Sequence, residues 1–462
     1  MLVITAMPIA IASQANSNLF LTLDKAEDIA VENSPDLRIL RSQQKIKGLI
    51  VDENWRTYFP SASVSWFRNS NIIENETDNR SQRLSLNLDQ VVYDGGRRRL
   101  ALSAALNDLD LSKYDLLIAI NGLKYKARNA YYNILSLMAS IDILKNSINR
   151  QSEQLKFSRK ELSLGETTEI QSIQIENRLN EIELQNKQTM IGLNTALEEF
   201  KVLLRLPSSY KINLVDKILS SSDYVFKDIS EKDLVNIAFK SRIEFDRTKA
   251  AAMQTAAEYE IAKSYYEPTL SIGGYYASTG DRYPPREREY GFNFKMNMFL
   301  GPNSIQDSSN YISRKEDTNR SLTSSTTVGI YDNLQYKRNI AQTGIAAEQA
   351  KISRTQLDDI IRIEVKKAYE NYKLSWDSMV LADQNAEVFE KRLNIKKRQV
   401  ELGEARRIDL AETEIFYLEA QNAKINARVR FLISISDLEL AVGASLDSLR
   451  LVNKKKGKDL NE

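Results

Sequence analysis

The sequence predicts a mainly α protein with a small β part, built from a duplicated pair of long helical hairpins. Three observations predict it. The chain repeats itself at a spacing of about 238 residues, so that Tyr93-Asp94 returns as Tyr331-Asp332, Ala130-Tyr131 as Ala368-Tyr369, and Leu164-Gly165-Glu166 as Leu402-Gly403-Glu404. No proline lies between Pro60 and Pro207 or after Pro302, which leaves two long tracts free to be helical. Four short segments, around Trp66, Leu86, Ile272 and Phe292, alternate apolar with polar residues, the pattern of strands with one apolar face.

In chain order, residues 1–15 are apolar and small and end in Ser13-Gln14-Ala15, as a secretory signal peptide does, although no basic residue precedes Lys25. A buried first helix is the alternative. Residues 19–206 form the first repeat. Leu23 to Arg56 reads as helix, broken at Asn33-Ser34-Pro35, with Asp24 as candidate N-cap. This segment returns at a second spacing of about 208: Ile29-Ala30 as Ile237-Ala238, Leu37 as Phe245, and Tyr58-Phe59-Pro60 as Tyr266-Glu267-Pro268. A strand hairpin follows Pro60, with Asn71 to Arg80 as its loop. Gly96 to Leu162 is then a helical tract of about 67 residues, or roughly 100 Å at 1.5 Å per residue, and Thr168 to Leu206 is its return. Leu106, Leu109, Leu116, Ile120 and Leu123 recur at three and four, a narrow seam suited to coiled-coil packing. Residues 207–230 are a polar linker or strap. The second repeat spans 231–446 and carries an unmatched insertion at 301–327. The favoured reading makes the insertion an excursion after a fourth strand, because Tyr290 to Phe299 is the better strand; the other gives it a return strand at Ser321 to Tyr331. Residues 447–462 are a polar, basic tail.

Composition excludes several functions. With 64 basic and 62 acidic residues the net charge is +2, which gives no case for a nucleic-acid partner. There is no Cys and no His, which removes disulfides, thiol nucleophiles, the usual zinc ligands and imidazole acid–base chemistry. No Gly-rich phosphate loop or nucleophile elbow is present, so the reading is not an enzyme, with no cofactor. No apolar run is long enough for a membrane-spanning helix. Export without such a helix leaves the periplasm, the outer membrane or the outside.

Strands with an apolar face of Tyr, Phe, Met, Leu and Trp suit lipid, and open sheet edges do not occur in a bilayer. Four strands cannot close a barrel alone, since the smallest have eight. The barrel must then be shared: two chains would give eight strands and three would give twelve. A soluble periplasmic coiled-coil scaffold is the rival. It explains the helices and leaves the two-faced strands and the leader unexplained.

The chain from Leu19 to about Leu451 resembles the TolC family of outer-membrane exit ducts. The resemblance rests on the Tyr58-Phe59-Pro60 and Tyr266-Glu267-Pro268 strand entries, Val92-Tyr93-Asp94-Gly95-Gly96-Arg97, and the two Leu-Gly-Glu tips. It is most marked over Leu402-Gly403-Glu404-Ala405-Arg406-Arg407-Ile408-Asp409-Leu410-Ala411-Glu412-Thr413, running on to Asn426-Ala427-Arg428 and Ala441-Val442-Gly443. It implies a homotrimer with an α-helical periplasmic tunnel, topped by a shared 12-stranded transmembrane β-barrel with four strands per chain. Such a duct sits in the lipid of the bacterial outer membrane, extends into the periplasm and is a passive conduit for efflux or type I secretion. Its implied partners are a periplasmic adaptor (membrane fusion) protein and an inner-membrane transporter of RND or ABC type.

Site residues follow from the resemblance. Asp409 and Glu412 fall where the family narrows its periplasmic entrance with acidic rings, which would favour cations; the first repeat has Gln171 and Gln174 there. A carboxylate in a first helical turn also favours the macrodipole without any pore. Arg406 and Arg407 are a possible gate latch or a solvated charge run, the family's basic residue lying nearer the Gly, where this chain has Ala405. Leu164, Gly165, Leu402 and Gly403 form the hairpin tips, to which the resemblance adds adaptor docking. Trp66, Leu84, Leu86, Tyr290, Phe292 and Phe294 are the lipid-facing or interfacial strand residues.

Overall fold

A computed structural model of the chain describes residues 18–71, 79–216, 226, 228–314 and 320–445. The leader at 1–15 and the tail at 447–462 lie outside them. The chain divides into two compact units. One is built from the stretch ending at Arg38, Leu117–Arg242 and the stretch starting at Asp358. The other comprises Ile39–Leu116 and Ile243–Leu357.

The helices repeat in register. α1 (Leu23–Asn33) and α2 (Pro35–Arg56) break at Ser34 because Pro35 supplies no N–H to a continuing helix. Thr22, not Asp24, occupies the N-cap; Asp24 sits in the first turn, and the N–H of Leu23 donates to Asp216 at 3.1 Å. α3 (Arg97–Ser163) has 67 residues and α4 (Glu169–Leu204) has 36. In the second half α5 (Glu231–Ser241) and α6 (Ile243–Lys263) repeat α1 and α2. α7 (Gln335–Glu401) and α8 (Arg407–Val442) match α3 and α4 in length. α4 and α8 end alike, on a left-handed residue, Arg205 (φ 54°) in one and Gly443 (φ 71°) in the other. Duplication has kept the backbone even where the residue is unsuited to it.

The first unit has its core where a short parallel sheet meets helices. β1 (Asn18–Leu21) pairs with β4 (Lys211–Leu214), Leu21 opposite Leu214. Within the linker, Lys211–Leu214 is thus one strand of a two-stranded sheet, a pairing too short to show a period. Leu21, Ala26, Ala30, Ala127, Tyr131, Ile134, Phe200 and Leu204 pack there, all fully buried. The Tyr131 hydroxyl donates to Asp216 at 2.7 Å and lies 3.1 Å from the Leu21 carbonyl. Arg128 joins Glu27 of α1 (2.8 Å) to Glu439 of α8 (2.6 Å), so one half-buried cation is shared by two buried carboxylates.

The second unit holds one antiparallel sheet in the order β2 (Ser61–Asn71), β3 (Asn79–Tyr93), β5 (Thr269–Gly280), β6 (Glu287–Leu300), β7 (Asn303–Arg314) and β8 (Arg320–Gly329). The expectation of four strands per chain is thus short by two. The insertion, expected as an excursion, is itself a hairpin: β7 pairs with β6 and β8 with β7. β8 matches the return strand at Ser321 to Tyr331 of the less favoured reading, whereas β7 was unforeseen, because Ser, Thr and Asn leave little apolar alternation in either strand.

The sheet-to-helix junction is built by Tyr93-Asp94-Gly95-Gly96-Arg97. Asp94 accepts from the N–H groups of Gly96 (3.1 Å) and Arg98 (2.8 Å) and so caps α3. Gly95 (φ 65°) has no room for a side chain, since a Cβ would stand 2.3 Å from that of Glu267. Arg97 donates to the carbonyls of Ser264 (2.6 Å), Tyr265 (3.2 Å) and Glu267 (3.1 Å), tying the start of α3 to the entry of β5.

Candidate channel wall and helical tips

The strand registers place the six predicted strand residues on one face. Trp66 is opposite Leu84 and Val64 opposite Leu86. Leu86 is opposite Tyr276, which is opposite Tyr290; Phe292 and Phe294 follow two and four residues on. Directly opposed residues share a face, so Val64, Trp66, Leu84, Leu86, Leu88, Ile272, Tyr276, Tyr290, Phe292 and Phe294 make a continuous apolar surface. All of them are exposed, Trp66 and Phe292 at 63% each. An apolar surface of this extent is a partner or membrane face, not a soluble protein's exterior. The opposite face carries Ser63, Ser65, Asn87, Asp89, Glu289, Asn293 and Lys295, and is polar.

Both tips are built alike. The N–H of Glu166 reaches the Glu161 carbonyl (2.9 Å) and that of Glu404 reaches Gln399 (2.8 Å), with Gly165 (φ 78°) and Gly403 (φ 76°) left-handed. These are helix C-terminal turns that need glycine. Nothing lies within 4 Å of a Cβ at either, so conformation and not space selects the residue. Leu164 (64%) and Leu402 (67%) point outward from them. Leu402 lines a groove along the end of α7 with Ile395, Arg398 and Gln399.

The polar tip residues fall into two groups. Asp409 is in the first turn of α8 and accepts from the backbone (3.4 Å) and guanidinium (3.2 Å) of Arg406. Arg406 is thus partnered within its own helix. Glu412, one turn on, is exposed. Arg407 instead pairs with Glu161 of α3, donates to Gln154 at 3.3 Å and covers the Phe157 ring at 4.8 Å. It joins the start of α8 to the end of α3.

One residue was not found by sequence reading. Glu414 on α8 is 4% exposed, and burial pushes its carboxyl up to about 7 against the pull of Arg150 and Lys397. Its Oε2, like Nε and Nη2 of Arg150 and both amide atoms of Gln151, has no hydrogen-bond partner among the described residues. The signal was available: a carboxylate between Leu410-Ala411 and Leu418 falls on the helix's buried stripe. Among the described residues no cluster of His, Cys, Asp or Glu could hold a metal ion, and no helix is long and apolar enough to cross a membrane.

No family model and no curated protein matches the chain. Solved structures do. The Campylobacter jejuni CmeC outer membrane channel is similar with a TM-score of 0.74 at 17% identity, over 92% of this chain and 86% of that one. The outer membrane protein VceC of Vibrio cholerae gives 0.73 at 13% identity, over 91% and 96%. The MtrE outer membrane channel of Neisseria gonorrhoeae, in its open state, gives 0.72 at 14% identity, over 92% and 89%. At such identities the likeness is one of fold, and it runs nearly end to end: the chain has the fold of these outer-membrane channels.

Proposed function

We propose that the protein is the outer-membrane channel of a tripartite efflux or type I secretion system, a passive conduit from periplasm to outside. The observation that carries this is the exposed apolar sheet face from Val64 to Phe294. Lipid satisfies that face only if the sheet's edges are closed by other copies. A homotrimer supplies them. Ring assembly has further support on α7, where Leu374, Leu381 and Val388 are exposed at a seven-residue spacing, a seam that wants another helix.

In this reading Asp409 and Glu412 face the entrance and bias it toward cations. Asp409 already shares its charge with Arg406, so Glu412 carries more of the bias. The Arg407–Glu161 pair holds the tip of α8 to α3 and acts as the latch. Leu164, Leu402 and the groove beside Ile395 receive the periplasmic adaptor, and an inner-membrane transporter of RND or ABC type supplies the energy. Fractionation tests the membrane reading against a soluble scaffold. The protein is expected to stay with outer membranes through alkaline washing and to leave only with detergent. Release by salt or alkali would favour the scaffold.

A further inference from the structure

We propose that the β7–β8 hairpin is part of the membrane wall, so that each copy lends six strands and β8 of one copy pairs with β2 of the next. Six strands from each of three copies close at eighteen, not twelve. The inference rests on the channel reading and its ring of three.

Four observations lead there. First, the outer edge of β6 is taken. It pairs with β7 from Glu289 opposite Arg314 to Leu300 opposite Asn303, and β7 pairs with β8 from Ser304 to Ser313. The edges left for another copy are β2 and β8. Second, those edges match. β2 has 11 residues and β8 has 10, and since every neighbouring pair in the six-strand order is antiparallel, the first and sixth strands run in opposite directions. A β8-to-β2 seam is then antiparallel, as membrane barrels require.

Third, two apolar rows of the outward face cross the hairpin, while the rows between them, Asp307–Thr326 and Ser309–Ser324, are polar. Tyr311 and Leu322 lie in the row of Phe292, and Ile305 and Val328 in the row of Met298. The other face carries Ser304, Gln306, Ser308 and Asn310 opposite Gly329, Thr327, Ser325 and Thr323. Asp307 falls on the outward face, where it accepts from the Thr326 hydroxyl at 2.6 Å, so its carboxylate is partnered within the hairpin. Fourth, the hairpin is braced at both ends. On the polar face Glu289, only 2% exposed, receives Arg83 of β3 (2.9 Å), the Tyr275 hydroxyl of β5 (2.9 Å) and Arg314 of β7 (3.2 Å). One carboxylate thereby joins four strands. At the far end Asn303 accepts from the Tyr331 N–H at 3.0 Å, and Ser304 donates to Asp332. Barrel diameter grows roughly linearly with strand number, so the exit is about half as wide again as twelve strands allow.

The chain has no Cys, so introduced pairs are its only thiols. One series combines Ser61→Cys, Ser63→Cys or Ser65→Cys on β2 with Ser321→Cys, Thr323→Cys, Ser325→Cys or Thr327→Cys on β8. A second series combines the same β2 positions with Asn293→Cys, Lys295→Cys or Asn297→Cys on β6. On oxidation in native membranes, one register of the first series is expected to give a band at three times the 52.8 kDa chain, while the second series stays at one chain. Cross-linking of β2 to β6 and not to β8 would overturn the proposal, taking the hairpin off the wall and returning the barrel to twelve strands. Amine cross-linking of the unmodified protein separates the two ideas. Trimers there with no β2–β8 product would sink the seam alone, and single chains throughout would sink the channel reading with it.

Discussion

The two halves of the molecule share a backbone and differ in what they bury. α4 buries six residues, five of them Ile, Leu or Phe, whereas α8 buries 17, among them Thr413, Glu414, Arg428, Ser434, Ser436 and Glu439. Equivalent positions show the divergence directly. Thr168 accepts from the Gln171 N–H at the start of α4, while α8 starts with the Arg406–Asp409 ion pair. Glu176 on α4 is half exposed beside Arg159 (3.1 Å); its counterpart Glu414 is buried. Duplication fixed the geometry, and the second copy then took up charge inside the helical packing. The sheet diverged too, since only the second half carries the extra hairpin.

Breaking the equivalence at the helix ends has the largest expected effect. Gly443→Ala must hold a left-handed φ and place a Cβ 2.8 Å from Arg242 Cγ and 3.0 Å from its Cα. A loss of roughly 2–4 kcal/mol is expected. Arg205→Gly, at the same place in the first repeat, relieves that φ and should change stability by less than about 1 kcal/mol. Thermal unfolding in detergent, followed by circular dichroism, compares the two; equal losses would mean that the helix ends are not equivalent.

Glu414 comes next. The folded carboxyl of Glu414 titrates at about 7, above its ordinary 4.5, so the folded state binds the extra proton between those values. Stability should fall as pH rises through that window, by about 3 kcal/mol at 1.4 kcal/mol per pH unit. Arg150 and Glu153 of α3 and Lys397 of α7 are the charges that act on it. Glu414→Gln should flatten the profile. Unfolding midpoints at pH 5 and pH 8 decide it.

The smallest effect separates two tyrosines. Tyr131 and Tyr369 are equivalent, and each donates to an aspartate near the join of the halves, Asp216 at 2.7 Å and Asp228 at 2.5 Å. Burial, followed by the Asp216 contact, raises the Tyr131 hydroxyl, whereas Asp228 is exposed and is held low by Tyr369 and Lys373. Tyr131→Phe should cost about 1 kcal/mol by removing both hydrogen bonds of a fully buried hydroxyl, although Asp216 is exposed and keeps the Leu23 N–H and the Leu21 carbonyl keeps the Val215 N–H. Tyr369→Phe should cost less, because water replaces its partner. The same unfolding experiment ranks them.

Much of this was legible in the sequence, for identifiable reasons. The repeat was visible because Leu-Gly-Glu, Tyr-Asp and the prolines sit at positions where the backbone allows few residues. The long helices followed from proline-free tracts, and α3 differs from its expected span by a single residue at each end. The wall face was visible wherever Trp66, Leu86 or Phe292 alternate with polar neighbours. β7 was missed, and β8 was offered only as the return strand of the less favoured reading, because both are largely polar; β1 and β4 were missed because four residues make no period. Glu414 was overlooked because a carboxylate reads as surface, although its place between Leu410-Ala411 and Leu418 puts it on the buried stripe.

The central proposal is that copies of this chain form a water-filled pore whose entrance carries Asp409 and Glu412. Conductance of the detergent-purified protein in a planar bilayer tests it most directly, beside the Asp409→Asn/Glu412→Gln double variant. The account predicts a stable, cation-selective pore whose selectivity falls in the variant. Folded protein that never inserts, or never conducts, would contradict it.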